Sequence, residues 1–117
     1  MNKEELQART KRFALDVIRL VEALPKSKSA DVLGRQLLRS ATSVAANYRA
    51  ACRGRSKAEF VAKLGIVVEE ADESLFWLEL IAEAGLVTSD HLQPLIQEAD
   101  ELTAIFVASR KTARKRL

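Results

Sequence analysis

Apolar residues recur along this 117-residue chain at helical spacing, with no stretch showing the alternation of a strand. Leu6, Phe13, Val17, Leu20 and Leu24 follow at intervals of seven, four, three and four. That is one face of a helix from about Lys3 to Leu24, stopped by Pro25. A second stripe, Leu33, Leu37, Ala41, Val44, Tyr48 and Ala51, predicts a helix over about 30–52. Ser29 is its expected N-cap, and Asp31 suits the positive end of its dipole. The third segment, about 57–84, carries two stripes: Phe60, Leu64, Val67, Ala71, Leu78 and Ile81, then Val61, Val68, Leu75 and Ala82. Ser56 and Glu59 have the spacing of a capping box, and Gly85 is a natural residue just past the helix end. The fourth carries Leu92, Leu95, Ala99, Leu102 and Phe106, with Thr88 or Ser89 as cap. Pro94 fits only near its start, where backbone N–H groups lack partners.

Four amphipathic helices with short links predict an all-α fold, an antiparallel up-down-up-down four-helix bundle. Composition excludes several alternatives. Four Gly and two Pro are too few for the turns of an all-β fold. One Cys rules out an internal disulfide framework. No apolar run is long enough to span a bilayer, and the charged N-terminus lacks a secretory h-region, so a cytoplasmic protein without membrane contact is expected. The apolar surface of the third segment is wide for a lone bundle. Phe76 and Trp77 are adjacent and point about 100° apart on a helix, so both rarely face one core, and the alternatives are a broad core with one partly exposed aromatic or an oligomer interface. They are the candidate interface of a self-associating protein.

The net charge of +3 conceals segregation. Residues 1–60 carry +7, residues 61–109 carry −9 and residues 110–117 carry +5. The expected organisation is therefore one domain over 1–109 and a basic C-terminal tail over 110–117. Arg49, Arg53, Arg55, Lys57 and Lys63 cluster at the second link. In an antiparallel bundle the tail's Arg110, Lys111, Arg114, Lys115 and Arg116 lie at the same end. Such a basic rim suits phosphate backbones. Few aromatics are interleaved, so base stacking is not suggested.

Catalytic chemistry finds little support. His91 is the one histidine and reads as a solvent-facing first-turn residue. The acidic run Glu69, Glu70, Asp72 and Glu73 lacks any Glu-x-x-His companion, so no metal or other cofactor is expected. Folding the second and third helices back about Gly54–Arg55 sets Arg39 opposite Glu70, an expected ion pair. Ser43 and Asn47 share a helix face, and Asn47 asks for a hydrogen-bond partner, structural or ligand. Cys52 reads as a small packing residue.

The stretch Arg39-Ser40-Ala41-Thr42-Ser43-Val44-Ala45-Ala46-Asn47-Tyr48, then Arg53-Gly54-Arg55-Ser56-Lys57-Ala58-Glu59-Phe60, resembles the 23S ribosomal RNA intervening-sequence family. So does Glu70-Ala71-Asp72-Glu73-Ser74-Leu75-Phe76-Trp77-Leu78-Glu79-Leu80. That family is similar to the accessory variability determinants of diversity-generating retroelements. The family motif carries over to Arg39, Ser43, Asn47, Arg53, Ser56 and Phe60. The resemblance implies a four-helix protomer of a homopentameric barrel. For the retroelement relatives it also implies a positive ring that binds nucleic acid and a reverse transcriptase. Many relatives read Asn-Ile-Ala-Glu-Gly where this chain has Asn47-Tyr48-Arg49-Ala50-Ala51, so a carboxylate is missing and this surface is more basic. The expected function is a non-enzymatic, oligomeric accessory protein that binds RNA or DNA through the basic rim with low sequence specificity. The alternative is a structural module that docks an enzyme partner without touching nucleic acid.

Overall fold

The computed structural model describes all 117 residues. It contains four helices and no strand: α1 (Lys3–Glu22), α2 (Lys28–Cys52), α3 (Lys57–Glu83) and α4 (Ser89–Arg114). The starts of α1, α2 and α3 and the end of α3 have local causes, whereas Thr88 at the N-cap of α4 makes no side-chain capping bond. Asn2 caps α1, its Oδ1 accepting from the Glu5 N–H at 2.8 Å. Ser56 caps α3 by accepting from the Glu59 N–H at 3.1 Å. The Glu59 carboxylate reaches back to the Arg55 N–H, 3.3 Å, one residue further than in the usual box. Past α3, Gly85 has φ +70°. The Leu86 N–H bonds to the Ile81 carbonyl and the Gly85 N–H to that of Ala82, a complete Schellman motif.

Two expectations shift. The cap of α2 is Ser27, not Ser29: the Ser27 hydroxyl accepts from the Ala30 N–H at 3.2 Å, so the helix begins a half-turn earlier. Pro94 is the sixth residue of α4 rather than one of its first few. It supplies no N–H to the Asp90 carbonyl one turn back. The basic segment 110–117 begins within α4, which continues through Arg114, and half-buried Ala113 packs against the core.

The helices are neighbours in a closed cycle, α1 on α2, α2 on α3, α3 on α4 and α4 on α1. The bundle measures 46 × 20 × 20 Å, long enough for its longest helix and one pair of helices thick each way. Its core is the expected stripes. Phe13, Val17, Leu37, Val44, Leu64, Val67, Leu78, Ile81, Leu92, Leu102 and Phe106 are all fully buried. Tyr48 on α2 meets Phe106 on α4 across the middle, ring centroids 5.0 Å apart.

Small residues let α2 and α3 close up. Buried Ser40 and Ser74 share a hydrogen bond of 2.9 Å between the two helices. The expected pair forms beside it, with Arg39 Nη1 3.0 Å from Glu70 Oε2, and the same guanidinium also binds Glu73. Between α1 and α4, Arg9 holds Glu98 with two donors at 2.7 Å each and Glu101 at 2.9 Å.

Candidate nucleic-acid interface

Three contacts locate the ends of the helices. The Lys3 ammonium at the start of α1 lies 5.6 Å from the ring centroid of Phe60 in the first turn of α3. Lys3 also shares a cleft with Cys52, Arg55 and Lys57 of the α2–α3 link. Gly65 of α3 lies against the Arg110 guanidinium of α4. The chain's first residues, the second link and the end of α4 therefore share one end of the bundle.

Eight of the ten basic candidates are exposed there: Arg49, Arg53, Arg55, Lys57, Lys111, Arg114, Lys115 and Arg116. Lys63 and Arg110 are half-buried. The ion pairs of the molecule use Arg9, Arg19, Arg35 and Arg39. None uses any of the ten. Eight of the ten line three clefts, Arg55 and Lys57 being in the one shared with Lys3. Arg49 and Arg53 line a cleft between α1 and α2 together with Lys11, which sequence reasoning did not single out. Lys11 is an exposed residue on an amphipathic helix, and only knowledge of which helix lies beside α1 distinguishes it from any other surface lysine. Arg110, Lys111, Arg114 and Lys115 line a cleft of about 580 Å³ floored by Val68 and Val107. Because α4 stays helical to Arg114, these cations fall in two rows, Arg110–Arg114 and Lys111–Lys115.

The family-motif residues have mostly structural contacts. Arg39 is ion-paired as described, Arg53 is the exposed C-cap of α2, and Ser56 caps α3. Asn47 donates to the Ser43 carbonyl at 2.9 Å, so its partner lies within its own helix, not on another. Phe60 is half-buried against the core. Tyr48, deep in the same end, has its phenol pushed above its usual range, chiefly by burial and then by Cys52 beside it, so it stays neutral. Phe76 is 53% exposed, whereas Trp77 packs half-buried on the core, the rings 5.0 Å apart and edge-on. His91 is exposed in the first turn of α4. No three His, Cys, Asp or Glu side chains converge as a metal site would need. No helix is long and apolar enough to cross a membrane.

The model of the 23S rRNA-intervening sequence protein family matches residues 3–108. The chain belongs to that family. A crystal structure of a protein of unknown function from the S23 ribosomal protein family, from Bacteroides thetaiotaomicron VPI-5482, is similar to it with a TM-score of 0.87. The two are 29% identical over 95% of this chain and 99% of that one. No curated protein matches. The intervening-sequence match ends at residue 108, just before the cationic rows of α4.

Proposed function

We propose that this member of the intervening-sequence family is a non-enzymatic accessory protein that binds the phosphate backbone of RNA or DNA through the basic end of its bundle. The observation that carries the reading is that ten cations gather at one end and none of them is ion-paired. Cations held in no ion pair remain available to a polyanion, and their counterions are released when it binds. Recognition through phosphates carries little sequence information, which matches the absence of exposed aromatics at that end.

We further infer that the protomer is an antiparallel up-down-up-down bundle that self-associates, as a pentamer in keeping with the family resemblance. Support for the antiparallel order comes from cross-helix contacts between residues about equally far from a short link, Arg39 and Ser40 with Glu70 and Ser74 on either side of 53–56, and Gly65 with Arg110 on either side of 84–88. Support for self-association is the apolar outer face of α3, where Ile66, Phe76 and Leu80 are exposed. A ring would bring several basic ends together and multiply their effect. The same α3 face, beside Asp72 and Glu79, also suits the other reading, a module that docks a protein partner such as a reverse transcriptase.

The test is RNA affinity against salt. The slope of log K against log salt gives the number of phosphates neutralised, about 0.7 per contact for single strands. Replacing Arg53, Arg55 and Lys57 by Gln is expected to flatten the slope by about 2. Undetectable binding at low salt, with the bundle folded, would move the assignment to protein docking.

A further inference from the structure

We propose that the cleft between α3 and α4 at the basic end is a phosphate site. In it the Arg110 guanidinium grips one phosphate of a nucleic-acid strand, and the adjoining sugar lies on Val68 and Val107. The proposal rests on the basic end being a nucleic-acid surface and names the place where a strand is gripped rather than merely attracted.

Arg110 differs from the other nine cations. It is half-buried, and its Nε is buried with no hydrogen-bond partner. Burying a charged donor without an acceptor is unfavourable, and such groups call for an explanation. No carboxylate supplies one, since Arg110 makes no salt bridge. The helix dipole does not explain it either. That effect belongs to the last turn of α4, which Lys111 and Arg114 already serve, whereas Arg110 lies sideways across α3.

It can lie there because residue 65 is glycine. A Cβ at Gly65 would sit 3.2 Å from the Arg110 Nε, Cζ and Nη2, closer than ordinary contact. Glycine in the middle of a 27-residue helix costs about 1 kcal/mol relative to alanine. That cost has a physical reason if the flat guanidinium must rest on the backbone. The result is a planar donor fork resting on the α3 backbone, in a cleft of about 580 Å³ that Lys111, Arg114 and Lys115 of α4 also line. A fixed fork suits the two oxygens of a phosphate, and a cleft of that size admits one nucleotide unit. A small rotation of the side chain turns the Nε–H toward a phosphate oxygen, giving it the acceptor it lacks.

Gly65→Ala tests this without altering charge. Alanine is the better helix former, so the variant is expected to fold at least as well while lifting Arg110 off α3. Its affinity for a short single-stranded RNA is expected to fall about fivefold. Arg110→Lys, which keeps the charge but loses the fork, is expected to lose about tenfold. Arg116→Gln removes a charge outside the cleft and is expected to cost less than either. If both charge-preserving variants bind RNA as the wild type does, the gripping site is wrong and the general basic surface stands. If RNA does not bind the wild type at low salt, the basic-end reading falls. The site is then judged by the Arg110 Nε–H resonance titrated with uridine 5′-monophosphate. A saturating shift in the wild type, weakened in Gly65→Ala, supports the site, and a shift no larger than that of Arg53 or Arg55 overturns it.

Discussion

Arg9 joins the first helix to the last through three hydrogen bonds, two to Glu98 and one to Glu101. The guanidinium is held above its usual range, chiefly by its hydrogen bond to Glu98. Only a planar fork makes both bonds to one carboxylate, so Arg9→Lys is expected to cost about 1 kcal/mol in thermal or urea unfolding. The Glu101 carboxyl is held below its ordinary value of 4.5, first by the Gln97 amide and then by Arg9. A carboxyl whose folded value is depressed stabilises the protein fully above its unfolded value. That contribution disappears as pH falls through the folded value. Wild type is therefore expected to melt above Glu101→Gln at pH 7, the gap closing as pH drops below about 4.5. A gap that persists unchanged at pH 3 would show that the ion pair is not its source. The Arg39–Glu70 pair was legible in the sequence, because a four-residue link fixes which residues of α2 and α3 are equidistant from it. The Arg9–Glu98 pair was not, because 89 positions and two other helices separate them and no turn sets their register.

Helices were readable where breakers and caps agree, and displaced where two residues of one type compete. Ser27 and Ser29 both qualify as caps by chemistry. Ser27 takes the place because its hydroxyl reaches the Ala30 N–H, which sequence spacing alone does not reveal. Gly85 had no competitor. Its φ of +70° is one that a side chain resists, and nothing lies within 4 Å of where a Cβ would stand. The strain in Gly85→Ala is thus purely conformational, and the variant is expected to lose about 1 kcal/mol while the packing of Ile81 and Leu86 is retained. Chemical denaturation with an unchanged m-value would check it, and a loss near zero would mean that the Schellman turn relaxes into another form. The end of α4 shows the opposite limit of sequence reading. Charge set residues 110–117 apart, yet Ala113 packs on the core and the helix continues. That continuation turns four of the five charges into rows with fixed spacing. Gly65, which shapes the cleft beside them, carries no charge or periodic signal and shows only as an isolated glycine in a helix.

At the scale of the molecule, α3 stands out because its outer face keeps large apolar side chains among its carboxylates after the core is complete. Ile66, Phe76 and Leu80 are exposed, and Trp77 presents its partly covered ring beside Phe76. A bundle about 20 Å across cannot turn these inward, because each lies on the far side of a helix whose near side is already packed. Their burial between copies would remove one large aromatic per subunit from water, worth about 2 kcal/mol. A lysine there would have to bury an unpaired charge, so Phe76→Lys is expected to weaken association by at least about thirtyfold. Phe76 is 53% exposed, so helicity and melting of the isolated subunit should change little. Light scattering distinguishes the states cleanly for a 13.0 kDa protomer. A pentamer for wild type and a smaller species for Phe76→Lys would assign the face. The single Trp gives a second reading, since Trp77 emission should shift to the red when the face is uncovered. Wild type found as a monomer would leave this apolar face to a different protein, and the basic end would then act alone rather than as part of a ring.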